Sequence, residues 1–269
     1  MSSSIPAPEA WLLEARSVAR RFGGLVAVDG VDLAVRRGSV HGVIGPNGAG
    51  KTTLLNLIAG VYVVSSGTLH FCEQDITRHS TAARARAGIR RTFQNLKLFG
   101  EMTALQNVAI GLHADTCSGL FDAVLGTPRH RREERDIRDR SMEALRFVGL
   151  GGIAAMRAGA LAYGHRRLLE IARAIVARPA LLLLDEPAAG LNVNEAAHVS
   201  ELIARIRDAG TTVILVEHHM DVVMRVSDEI TVLNYGRRLA HGTPTQIQED
   251  PDVIEAYLGS SLENESAQA

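Results

Sequence analysis

Gly45-Pro46-Asn47-Gly48-Ala49-Gly50-Lys51-Thr52-Thr53 decides how the rest of the chain is read. It fits the spacing G-x-x-x-x-G-K-[ST], in which glycines let backbone N–H groups turn inward around an anion with no Cβ in the way. Lys51 brings a mobile positive charge to the β- and γ-phosphates of a nucleotide, and the Thr52 hydroxyl is placed to ligate Mg²⁺. The flanks agree with this. Val40–Ile44 reads as a strand, and Lys51–Ala59 as a helix whose N-terminal dipole faces the same anion. An accidental match would occur in about one chain in a hundred of this length, and accident does not supply the strand and the helix. Mg-ATP binding through Gly45, Pro46, Asn47, Gly48, Ala49, Gly50, Lys51, Thr52 and Thr53 is therefore expected.

Upstream of the loop, residues 11–44 alternate apolar and polar, with Gly23-Gly24, Asp29-Gly30 and Arg37-Gly38 read as turns between short strands. Downstream, Gly60 stops the helix as a left-handed cap, and Thr68–Phe71 reads as a strand. From Ser80 to about Gly159 arginine-rich, helix-like stretches dominate, and the mixed charges of Arg129–Val148 read as a solvated face. Leu112–Thr127 reads as a loop. After Gly164 a helix runs to Ala177, then strands and helices alternate: Leu181–Leu184, Glu195–Ala209, Thr212–Glu217, Met220–Val226 and Glu229–Leu233. Asn234-Tyr235-Gly236 turns the chain into Arg237–Ala240, and a short helical tail reaches about Leu258. Such alternation predicts an α/β fold with a mainly parallel sheet covered on both faces.

Leu181–Leu184 ends in Asp185-Glu186, and the C-terminal edge of a parallel sheet faces the ligand crevice. Asp185 there would hold Mg²⁺ and Glu186 would polarise the attacking water as general base. His218 emerges at the same edge and is placed to sense the γ-phosphate. Adjacent His219 is its rival, and a zinc site the third reading. Neighbouring residues at a strand end are expected to point opposite ways, and no cysteine cluster accompanies them. Gln94, after a strand ending near Arg91-Thr92, is within reach of Mg²⁺ or the water.

Composition narrows the function classes. The chain of 269 residues is 46% hydrophobic and 22% charged, as a globular protein is. With 4% aromatic residues and a net charge of -1, it lacks the stacking surfaces and the basic field that nucleic acid requires. Cys72 and Cys117 are far apart and read as reduced thiols. Residues 1–10 have no signal-peptide pattern and read as a disordered leader, as 260–269 read as a disordered tail. No apolar run approaches the roughly 18 residues of a membrane span, so a membrane role would come through a partner.

Together these residues resemble the ATP-binding subunit of ABC transporters along nearly the whole chain. The loop and Asp185-Glu186 match the Walker A and B motifs, Gln94 the Q-loop, His218 the switch histidine, and Phe22 the aromatic that stacks on adenine. Ala162-Tyr163-Gly164-His165 stands where that family carries its signature, which contacts ATP held by the opposite subunit. Two departures are visible there: Ala162 replaces a serine and His165 a glutamine. Asn192 replaces the aspartate that ends the D-loop. The resemblance implies a P-loop core with an N-terminal antiparallel β sub-domain and an inserted α-helical sub-domain. It implies one such domain over 11–259, the insertion at about 95–165 and the helical tail at about 244–259.

Leu161-Ala162-Tyr163-Gly164, Arg91–Asn95 and the ending Val253–Gly259 further resemble one of the two ATPases of branched-chain amino-acid importers, and the longer helical insertion favours the larger of the two. That implies a second ATPase subunit, in a homo- or heterodimer, permease subunits across the membrane, and an extracytoplasmic substrate-binding protein. It also implies a place on the cytoplasmic face of the cell membrane. Urea or amide importers, the lipopolysaccharide exporter and a soluble ATPase of the same family are the alternatives. The soluble forms usually carry coiled coils or two cassettes, and this chain has neither. A small-molecule kinase has no use for the signature segment or His218.

Overall fold

A computed structural model of the chain describes residues 11–92, 97–112 and 128–257. The expected leader and tail, Gln94, Cys117 and the expected loop beyond Leu112 lie outside these residues. Two long strands open the fold where several short ones were expected. β1 (Trp11–Phe22) and β2 (Leu25–Arg36) run antiparallel across the Gly23-Gly24 turn. Asp29-Gly30 is not a turn. Val18 pairs with Val31 but Arg20 with Val28, so β2 carries a bulge there. A bulge and a turn draw on the same residue types, which is why composition confuses them. The bulge frees Asp29 from the ladder: its N–H donates to Gly236 O at 2.8 Å, and its carboxylate accepts from Arg237 Nη2 at 2.7 Å. β1 also pairs with β4 (Ser66–Phe71), which pairs with β5 (Gln74–Asp75), giving an antiparallel sheet ordered β2-β1-β4-β5.

The second sheet is ordered β10-β9-β3-β8-β7-β6. β3 (Val40–Ile44), β6 (Ile89–Arg91), β7 (Leu181–Asp185), β8 (Thr212–Val216) and β9 (Glu229–Asn234) are parallel, and β10 (Arg237–Gly242) closes the edge antiparallel. Every residue of β3, β7 and β8 is buried, as expected of central strands covered on both faces. Alternation assigns the faces. Leu181 and Leu183 join α1 (Lys51–Ala59) and the antiparallel sheet in one core. Leu182 and Leu184 join the helices on the other side.

Those helices are α3 (Ala104–Ala109), α4 (Pro128–Phe147), α5 (Tyr163–Ile175) and α6 (Val193–Asp208), with short 3₁₀ turns at Gly151–Ile153 and Ala158–Ala160. α4 and α5 are each two-faced: Leu145 and Ala144 of α4 meet Leu169 and Ala172 of α5 inside, while most arginines of α4 stay outside. A third cluster binds the C-terminal part to the sheet. Ile44 at the end of β3, Val223 of α7 (Met220–Val226), Ile247 of α8 (Pro244–Glu249) and Val253 of α9 (251–257) share it, with Tyr257 against it.

The loop's helix is anchored at its far end as well. Gly60 caps α1 in the left-handed region, as expected. Arg84 of α2 (Thr81–Arg86), 1% exposed, donates Nη1 to Ile58 O at 2.9 Å, with further bonds to Leu57 O, Thr77 O and His79 O. It satisfies carbonyls that a helix C-terminus leaves without partners, at the negative end of the dipole. Burial pulls its pKa down to about 10, still well above neutrality. Replacing it strands several buried carbonyls, so Arg84→Ala should cost about 2–4 kcal/mol in urea unfolding. A loss below 0.5 kcal/mol, roughly that of an ordinary surface substitution, would show that α1 does not depend on this cap.

Candidate nucleotide site

The loop from Gly45 to Thr53 is built by the sheet around it. A Cβ on Gly45 would lie 2.1 Å from Leu233 O, and one on Gly50 would lie 2.5 Å from Ala27 O. Both glycines have positive φ, 147° and 99°. α1 begins directly after, with no side chain capping its first N–H groups. The first N–H groups of this helix and the loop amides around them suit an anion. Lys51 is buried, and its Nζ donates to Gly45 O at 2.7 Å and Pro46 O at 2.9 Å. Burial lowers its pKa, while Glu186 and Asp185 work against that, so both carboxylates act on the loop's cation.

Asp185 ends β7 fully buried. Its Oδ2 accepts from Arg91 Nη2 at 2.8 Å, and Arg91 also reaches Asn56 on α1. Its Oδ1 is buried with no hydrogen-bond partner among the described residues. Burial raises the Asp185 pKa, and the bond from Arg91 only partly offsets this. A buried carboxylate with one oxygen left over is a suitable ligand for a hard cation. Glu186 follows in a left-handed backbone, φ 49°, held by its N–H donating to Val216 O at 2.8 Å. That conformation costs roughly 1–2 kcal/mol in a non-glycine residue. It sends the Glu186 carboxylate to within 3.8 Å of His218 Nδ1.

The expectation that His218 and His219 diverge is corrected, since their rings lie 4.4 Å apart. β8 ends at Val216, so the chain has left the pleat before residue 218 and strand alternation no longer applies. His218 and Gly45–Ala49 line one cleft of about 680 Å³, together with Tyr235 and Tyr257. Among the described residues no group of three His, Cys, Asp or Glu could hold a metal alone.

Phe22 closes β1 half-exposed, with Tyr62 edge-on at 5.1 Å and the Arg20 guanidinium 4.5 Å over its ring. Ala162 to His165 begin α5, with Ala162 as the N-cap and Tyr163 already helical, two residues earlier than the sequence suggests. No side chain caps this helix, a direct result of alanine in place of serine. Among the described residues these four make no hydrogen bond to the phosphate loop of their own chain. Instead Tyr163 Oη donates to Ala189 O at 3.2 Å, and Gly164 lies against Glu195. Asn192 caps α6 reciprocally with Glu195, both bonds being 3.0 Å, a task asparagine performs as well as aspartate.

Sequence reasoning missed Arg91, Arg20, Tyr62 and Glu217. Only Glu217 had a visible sign: like Asp185, it is a carboxylate at the end of an apolar strand.

Comparison with known proteins agrees with this geometry. The family profile described as ABC transporter matches residues 28–189, and the one described as branched-chain amino acid ATP-binding cassette transporter matches 237–262. The chain is 45% identical over 251 residues to the high-affinity branched-chain amino acid transport ATP-binding protein LivG of Escherichia coli K12, covering 93% of this chain and 98% of that one. Identity and coverage are the same for BraF of Pseudomonas aeruginosa. The solved ATP-binding cassette MJ1267 in its ADP conformation superposes with a TM-score of 0.82 at 31% identity, over 93% of this chain and 99% of that chain. The chain belongs to the ATP-binding subunits of ABC transporters, and its activity is that of an ATP hydrolase. Among the described residues no helix is long and apolar enough to cross a membrane.

The raised pKa of Asp185 has a thermodynamic signature. Its protonated form is favoured by the fold, so that contribution is present below the ordinary carboxylate value of about 4 and is lost as pH rises through the higher folded value. Without Mg²⁺, the stability of Asp185→Asn relative to the parent should therefore grow as pH rises from about 4 toward 8. Denaturation at a series of pH values measures it, and a flat or falling difference would contradict the assignment.

Proposed function

We propose that this chain is the ATP-driven motor of an importer for branched-chain or other hydrophobic amino acids. What carries the reading is full-length similarity to branched-chain amino acid transport ATPases, extended by the separate match over 237–262. It would act on the cytoplasmic face of the membrane, held there by permease subunits and paired with a second ATPase. An extracytoplasmic binding protein would select the cargo.

In this reading the adenine stacks on Phe22, and the backbone from Gly45 to Thr53 holds the phosphates with Lys51 at the β- and γ-positions. Thr52, Gln94 and Asp185 would hold Mg²⁺, which supplies charge neutralisation on the phosphate oxygens. The partnerless Asp185 Oδ1 supports that assignment. Glu186 accepts the proton of the attacking water, and His218, 3.8 Å from it, bonds the γ-phosphate. Ala162, Tyr163, Gly164 and His165 would face the ATP of the partner subunit, a reading supported by their making no hydrogen bond, among the described residues, to the phosphate loop of their own chain.

Glu186→Gln should bind ATP with near-normal affinity, lose turnover by at least about a hundredfold and accumulate as a dimer on gel filtration with ATP. Unchanged turnover would remove Glu186 from the role of base. Lys51→Ala should lose nucleotide affinity in an equilibrium titration, and normal binding would count against the loop assignment. For transport, co-expression with the adjacent genes should recover a membrane complex whose ATPase is stimulated by a leucine-loaded binding protein. A chain that purifies without any membrane partner would overturn the transport reading.

A further inference from the structure

Glu217 is a buried carboxylate that this mechanism does not use. It is fully buried directly after β8, and among the described residues no arginine or lysine pairs with it. Three backbone N–H groups take the place of a cation. Its Oε1 accepts from Ala188 N at 2.6 Å, and its Oε2 from His218 N at 3.2 Å and His219 N at 3.4 Å. A charge is tolerated in the interior when hydrogen bonds of this kind surround it. The arrangement has a direction as well. One oxygen grips the chain two residues after Glu186, and the other grips the residue that carries the His218 ring. A hydroxyl in this position has one oxygen and could not hold both loops.

Glu186 is already restrained on its near side by its N–H bond to Val216 O, and Ala189 N donates back to Glu186 O at 3.1 Å. The clamp at Ala188 therefore closes on a segment whose one strained residue is Glu186 itself. We propose that Glu217 is a positioning residue: its carboxylate locks the loop of Glu186 to the loop of His218, so that the two side chains keep one alignment across the γ-phosphate. This rests on the reading of Glu186 as base and His218 as sensor. It further implies that displacement of either loop is passed to the other, because a single rigid group spans them.

The test is Glu217→Gln, which keeps the side-chain shape but turns an amide N–H₂ toward a backbone N–H. Turnover should fall by about ten- to a hundredfold, the cost of misplacing reacting groups by an ångström or less. The ATP dissociation constant should stay within about twofold, because the phosphate loop is not touched. A turnover within about twofold of the parent overturns the proposal. A parallel fall in affinity and turnover also overturns it, since that is the mark of a general structural loss. If the variant does not fold, hydrogen exchange on the full-length parent decides: the amides of Ala188 and His218 should be protected together. Exchange at the rate of open loop amides sinks the clamp. Failure of the underlying reading is separable, because it would leave Glu186→Gln active while the exchange result stood.

Discussion

The phosphate loop is squeezed between two sheets. Leu233 O from β9 and Ala27 O from β2 stand so close to Gly45 and Gly50 that any side chain at either glycine would displace a backbone carbonyl. Such contacts do not yield as a side chain would, so the loop keeps one shape and its amides point one way. The rest of the site depends on that shape. Lys51 lies buried under the loop's own carbonyls, α1 begins where the loop ends, and the carboxylates of Asp185 and Glu186, at and just after the end of β7, act on the same cation. The antiparallel sheet is thus part of the site as well as a cover for it. The Asp29–Arg237 pair and the Asp29 N–H bond to Gly236 O tie that sheet to β10.

The charges inside the cleft are held out of balance. Burial disfavours the charged forms of both Lys51 and Asp185, and each is only partly relieved by its neighbours. Arg91 takes one oxygen of Asp185 and leaves the other. A protein that optimised only its own stability would have placed apolar groups here. A ligand carrying both negative phosphates and a divalent ion would resolve the imbalance, since it suits Lys51 and Asp185 at once.

Much of this was legible in the sequence because it lies in single segments. Gly45–Thr53 gives the loop, and the segment Val40–Ile44 and the apolar run Leu181–Leu184 give strands whose ends must face a ligand. The bulge at Asp29-Gly30 was not legible, since bulges and turns share residue types. Nor was the convergence of His218 and His219, which depends on where β8 stops, and a one-residue error there reverses the direction of a side chain. Arg91, Tyr62 and Arg84 act across long sequence separations and leave no local pattern; Arg84 belongs to α2 yet closes α1. The departures at Ala162 and Asn192 could be seen but not judged. The structure shows that Asn192 keeps the cap intact and that Ala162 does not.

The third apolar cluster gives the C-terminal segment a meaning beyond anchorage. Val253 and Tyr257 rest on Ile44, the last residue before the phosphate loop, and on Val223 and Met220 of the helix that follows His218. Burial pushes the Tyr257 phenol up to about 12, with the Gly45 backbone beside it pulling the other way. The tail is therefore a splint laid across the two ends of the catalytic cleft. Fraying of this last helix would uncover Ile44 and Val223 together, so the packing beside the phosphate loop and beside α7 would be lost in a single event.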